Sequence, residues 1–269
     1  MPPVSEVIFD VQFLPIQGLT TAHFGLLWSR LRDRFPLTED QPPLEPHLEK
    51  LPGRHPGVGL VLEISHLPPP RRVWLLKEDH TEVLQLQGDR FIRNWRRVQE
   101  DQTYPGYEKL KAACRQDWQE LVSLLQEEKL SLPRLTQGEL AYLNRFPAGI
   151  GWEHLGQAHR LLRVWRWPDE LRGSEPPETV RTTVTFLIRR ADGRVVGRLY
   201  VDLVPLRDAN RDFYLLRLSA RGRPEPESLQ GAFEFFDLGH RAILQAFQDL
   251  CQPELLSHWK IDLVVEEGR

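Results

Sequence analysis

Apolar and polar residues alternate at the start of the chain. Val7, Phe9, Val11 and Phe13 point one way; Glu6, Asp10 and Gln12 point the other, with Ile8 among them. A period of two over that length predicts a half-buried strand. Thr20 or Thr21 then caps a helix carrying Phe24, Leu27, Leu31 and Phe35 at three- and four-residue spacing, and Pro36 stops it. Residues 36–56 are rich in proline and read as an irregular connection. Strands are expected over about 58–65, Val73–Lys77, Glu82–Gln87 and Arg90–Val98. Pro68-Pro69-Pro70 ends the first, the polar loop Glu78-Asp79-His80-Thr81 follows the second, and Gly88-Asp89 is a two-residue hairpin turn. After Tyr104-Pro105-Gly106, Leu110, Cys114, Trp118, Leu121 and Leu125 form the buried stripe of a long helix from Tyr107 to Lys129.

The second half repeats this order. Leu135–Phe146 alternates as a strand, Trp152–Ala158 suits a short degenerate helix, and His159–Trp167 alternates again. A proline- and glutamate-rich loop covers 168–178. Thr179–Arg190 and Arg194–Val204 flank the turn Ala191-Asp192-Gly193 as a hairpin, and Phe213–Ala220 is a further strand. The last long helix starts after Pro226 with Ser228 as its cap. Its stripe is Phe233, Phe236, His240, Ile243, Phe247 and Leu250, and Pro253 ends it. The pattern therefore predicts an α+β protein of two strand-helix-four-strand-helix units, 1–130 and 131–269, forming one continuous pseudo-twofold domain. Residues 4–129 are expected to superpose on 135–251. This order looks like the TATA-binding-protein-like arrangement, a curved antiparallel sheet with the long helices on one side. The likeness is at fold level and carries no function.

Several segments resemble a sporadically distributed bacterial and archaeal family of uncharacterised proteins. They are Pro2-Pro3-Val4-Ser5-Glu6-Val7, Leu84 through Arg96, Tyr104-Pro105-Gly106-Tyr107, Glu139 through Asn144, and the terminal helix ending near Trp259. The family supplies no catalytic residues. Its sporadic distribution implies mobile, defence-related or toxin–antitoxin settings. One departure is the short connection after Asn144, carrying Gly149 and Gly151, which puts the first helix of the second unit in question.

Composition narrows the classes. Hydrophobic residues make up 41% of the 269, enough for a sizeable core. The formal net charge of −3 offers no global attraction to nucleic acid or anionic lipid, so any such binding needs a local patch. Cys114 and Cys251 fall on apolar helix stripes and suit buried free thiols in a reducing cytoplasm. The N-terminus lacks the pattern of a signal peptide, and no apolar run approaches the ~20 residues of a membrane span.

Nucleotide, hydrolase and metalloprotease signatures are absent, and Gly57-Val58-Gly59 lacks the third glycine of a dinucleotide fingerprint. His154 and His159, five apart, do not share a helix face, so no metal or cofactor is expected. His240, on an apolar stripe, reads as a core histidine ahead of a general base or ligand. Asp79-His80 reads as turn chemistry ahead of catalysis. The strand from Arg90 to Arg97 interleaves arginines with Phe91, Asn94 and Trp95. Arg90, Arg93, Trp95 and Arg97 are therefore candidates for phosphate contact and base stacking. The plainer alternative, an amphipathic strand whose aromatics face helices and whose arginines meet carboxylates, is preferred. On the second-half hairpin, Arg181, Arg198, Tyr200 and Asp202, with Arg217 on the next strand, suit an anionic or polar ligand, or simply a solvated sheet face. The leading expectation is a non-catalytic binding or accessory protein with a protein partner or a nucleotide or nucleic-acid ligand. The alternatives are an enzyme using Glu6, Asp10 and Glu139, or a self-associating structural component, with a homodimer as one form.

Overall fold

The computed structural model describes residues 2–45, 48–51, 72–164, 177–208 and 211–259. In chain order these form β1 (Val4–Phe13), α1 (Thr21–Leu31), β2 (Leu37–Gln41), β3 (Arg72–Leu76), β4 (Glu82–Gln87), β5 (Arg90–Arg96) and α2 (Tyr107–Glu127). There follow β6 (Leu135–Pro147), β7 (Thr182–Arg189), β8 (Val195–Arg207), β9 (Asp212–Gly222), α3 (Leu229–Leu250) and α4 (Pro253–His258). The nine strands make one antiparallel sheet in the order β2-β3-β4-β5-β1-β6-β9-β8-β7. β1 and β6 pair at its middle. Outward from them run β5, β4, β3 and β2 on one side and β9, β8 and β7 on the other.

Alternation gives the sheet two unlike faces. Val7, Phe9, Val11 and Phe13 of β1 point at the helices and are buried. Phe9 touches both long helices at once, its ring 5.8 Å from Tyr107 of α2 and 5.3 Å from Phe236 of α3. Both therefore pack on the same face. Trp118 of α2 meets Phe13 and Phe91 edge-on, and α1 packs against α2. Helix α3 comes close because its seat is cleared. Gly138, Gly222 and Gly197 lie side by side across β6, β9 and β8. Phe235 lies over Gly197 and Gly222, and both Phe235 and Phe236 lie over Gly138. A Cβ on Gly222 would sit 2.3 Å from the Phe235 ring and 2.3 Å from the Val196 carbonyl oxygen. Gly222→Ala should therefore cost about 1–3 kcal/mol through overpacking, read as a lower urea midpoint. An unchanged midpoint would mean that the Phe235 ring and the β8 backbone at Val196 both give way without penalty.

Most predicted elements are present, with shifts that have local causes. α2 stops at Glu127, and Lys129 adopts a positive φ of 55° just beyond it. Ser228 caps α3 by accepting from the Gly231 N–H. Pro253 ends α3 and also opens α4, where its missing N–H is not needed. Residues 37–41, expected as irregular, form an edge strand. Thr38-Glu39-Asp40-Gln41 lacks apolar alternation, and pairing with β3 rather than burial holds it in the sheet. No helix forms over Trp152–Ala158: Gly149 and Gly151 take φ of 96° and 104°, and Trp152 tucks against Tyr214. Only a 3-10 turn at Ala158–Arg160 follows. Of the strand expected over His159–Trp167, the described residues show turns and a single bridge, Leu162 to Cys251. The expected strand at 58–65 and residues 165–167 lie outside the described residues.

Candidate functional site on the polar sheet face

The face of the sheet away from the helices carries an unusual amount of buried polarity. Its residues align in rows across the strands. One row reads Gln87, Arg90, Gln12, Gln137, and the next Gln85, Ile92, Asp10, Glu139, Arg221, Arg198. A third contains Asn94, Ile8, Ala141, Ser219, Tyr200 and Thr185. A fourth contains Arg96, Glu6, Leu143, Arg217, Asp202 and Thr183. Buried polar groups cost stability unless paired, and here nearly all are paired.

Asp10 and Glu139 face each other across the central strand pair, and their environments differ. Glu139 accepts from Arg217 Nη2 at 2.8 Å and from Arg221 Nε at 2.6 Å. Burial would raise its pKa, but Arg221 and then Arg217 more than offset this and hold it below the usual carboxylate value. Asp10 has Arg90 Nη1 at 3.2 Å and Gln12 Nε2 at 3.5 Å on one oxygen. Its other oxygen, and the Nε of Arg90, are buried without a hydrogen-bond partner among the described residues. Burial pushes Asp10 up to about 7, against the pull of Arg90 and with the help of Glu139. Glu6 accepts from Asn94 Nδ2 at 2.6 Å, and burial raises it too.

A strap of residues 42–45 and 48–51 crosses this face from β4 to β8. Leu44 exchanges two hydrogen bonds with the Gln87 side chain, at 2.8 and 2.9 Å. Arg90 Nη2 donates to the Glu45 carbonyl at 3.0 Å, and the Glu49 N–H donates to Gln137 Oε1 at 2.8 Å. The Glu49 carboxylate receives Arg198 Nη1 at 2.5 Å and the Tyr200 hydroxyl at 2.6 Å.

Of the residues singled out from sequence, Arg90, Arg198, Tyr200, Asp202 and Arg217 meet on this face. Arg217 also donates to Ser219 at 2.8 Å, and Asp202 accepts from Thr183 at 2.8 Å. Arg181 lies exposed just before β7. Arg93 and Trp95 are on the opposite, helix-covered face. Trp95 packs against Tyr104, and Arg93 is 3% exposed, bonded to Asp117 at 2.7 Å and to Glu82. A guanidinium that deep has no path to a phosphate. Arg97 ends beyond β5, donating to the carbonyls of Gln102 and Pro2. Sequence reasoning passed over Arg221, Gln137 and Glu49, and placed Gln12 on the polar side of β1 without a role. Arg221 shares the parity of Arg217 and Ser219, which would have found it; nothing in the proline-rich connection marks Glu49.

His240 lies on the helix side, its ring 3.9 Å from Tyr107 and nearly parallel to it, with Nδ1 3.0 Å from the Tyr142 hydroxyl. Burial pushes this imidazole down to about 4, against Glu108 and Asp237, so it is neutral at pH 7. Asp79 accepts from the backbone and side chain of Thr81, closing its own turn. Among the described residues, no cluster of three or more His, Cys, Asp or Glu is placed to hold a metal, and no helix is long and apolar enough to cross a membrane. Comparison of the chain with family models, with curated proteins and with solved structures finds no match.

Proposed function

We propose that this is a non-catalytic binding or accessory protein that holds an anionic, nucleotide-like ligand on the polar sheet face. The observation that carries the reading is Arg217. Glu139 and Ser219 orient it on a rigid strand, its side chain is 39% exposed, and Nη1 has no hydrogen-bond partner among the described residues. Arg221, held by the same carboxylate, stands beside it. Donors already fixed in place lose little freedom when an anion arrives. Calorimetric titration with adenosine monophosphate and with short oligonucleotides at two salt concentrations is the test. Arg217→Gln should weaken binding about tenfold or more, the worth of one charge-assisted hydrogen bond. No binding of either ligand at low salt, where screening is least, would sink the anionic reading and leave a protein partner.

The enzyme reading has one observation in its favour: Asp10, raised to about 7, faces Glu139, held low, the divergence an acid and base pair needs. Glu139, the would-be base, is taken up by Arg217 and Arg221, which is why binding is preferred. Self-association would use β7, whose only partner among the described residues is β8 and whose Phe186 and Leu187 are exposed. A sedimentation experiment separates this from a monomer. The strand order outward from β1 and β6 supports descent from a duplicated, TATA-binding-protein-like unit. Buried free Cys114 and Cys251 suit a cytoplasmic setting. The resemblance to the uncharacterised family adds a defence or toxin–antitoxin context, testable from neighbouring genes.

A further inference from the structure

We infer that the Glu49 carboxylate occupies the anion position of the polar face, so that the ligand carries an oxyanion and enters by displacing the strap. This rests on the binding reading above and adds the chemistry of the ligand and the device that guards the site. Glu49 makes the contacts an incoming carboxylate or phosphate would make, with Arg198 Nη1 on one oxygen and the Tyr200 hydroxyl on the other. Its side chain is 2% exposed. Among the described residues the strap is held by polar contacts at Leu44, Glu45, Glu49 and Lys50, each to a side chain of the sheet, and by one buried apolar side chain, Leu51. The polar contacts exchange readily for contacts to water or ligand, unlike interlocked apolar packing. Beneath lies a polar layer in which an oxygen of Asp10 and the Nε of Arg90 find no partner among the described residues. A connection needed only to cover the sheet would be better served by an apolar layer, since a buried ion pair is often no more stable than the apolar residues that could replace it.

Inorganic phosphate and succinate serve as probes and separate a phosphate from a carboxylate preference. Glu49→Gln should raise the affinity for at least one of them about tenfold, because the competing anion is gone. Glu45→Gln, the same change of charge on the exposed part of the strap, should change it less than about twofold. Adding Arg198→Gln to Glu49→Gln should abolish the gain. Equal gains from Glu49→Gln and Glu45→Gln, or a gain that survives loss of Arg198, would overturn the inference. So would unchanged affinity in Glu49→Gln with binding intact in the wild type, and that outcome leaves the binding reading standing. No binding of either anion to any variant would overturn both. In the unaltered protein, hydrogen exchange at the Leu44 and Glu49 amides should quicken when a binding anion is added; protection that stays the same counts equally against displacement. This measurement needs no variant to fold.

Discussion

Asp117→Ala should cost about 3–5 kcal/mol, the loss expected when one partner is removed from a buried ion pair. Asp117 sits in the middle of α2 with no exposed surface and takes Arg93 on one oxygen and Arg34 on the other. Arg93 also reaches Glu82 and the Asn94 carbonyl and lies over the Phe35 ring. Burial alone would lower its pKa, but Asp117 and Glu82 hold it above the usual arginine value. Removing Asp117 therefore leaves Arg93, buried and always charged, with Glu82 as its one remaining carboxylate and with its Nε unpaired. Urea unfolding gives the measurement. Arg93→Met combined with Asp117→Leu should cost much less than the sum of the single changes, because the desolvation penalty leaves together with both charges. A loss below ~1 kcal/mol for Asp117→Ala would mean that water enters this part of the core.

Asp10→Asn should make the protein more stable at pH 8, by on the order of 2–4 kcal/mol, and leave it unchanged near pH 4. The sign follows from proton counts. In the folded protein Asp10 keeps its proton up to about 7, whereas the unfolded chain releases it near ~4. Asp10 thus contributes stability fully at low pH and loses it as pH rises through that window. Asparagine keeps the shape of the protonated acid and has nothing to lose. His240 works in the opposite direction. Its value of about 4 lies below the ~6.5 of a free imidazole, so its contribution is lost as pH falls through that interval. The two slopes partly cancel in the wild type, and Asp10→Asn should expose the histidine slope. Unfolding midpoints from pH 4 to pH 8 decide the matter. A difference between wild type and variant that is constant across that range would show that Asp10 is ionised throughout.

Much of the architecture was legible in the chain because periodicity is local. The strand at 7–13, the hairpin about Gly88-Asp89, both long helices and the Ser228 cap follow from spacing, turn chemistry and capping alone. Alternation along β5 sets Phe91, Arg93 and Trp95 on one face. It could not say what stood opposite. Arg93 faces Asp117, 24 residues away, and is consumed by the core; Arg90, three positions earlier, faces Asp10 and lies beneath the strap. Edge strand β2 was missed because its register is held by backbone pairing, which leaves no trace in side-chain pattern. The row of Gly138, Gly222 and Gly197 likewise arises only when three strands align.

The residues themselves thus determined which segments are strands and helices and which side chains share a face. The tertiary structure decided which charges meet. Asp10 finds Glu139 only through the register of β1 with β6, and Glu49 finds Arg198 and Tyr200 only because the connection after β2 crosses the face of the sheet. The physical reason is that period and turn preference act over a few residues. A carboxylate's protonation and a guanidinium's availability depend on whatever the fold brings within a few ångströms, from any distance along the chain.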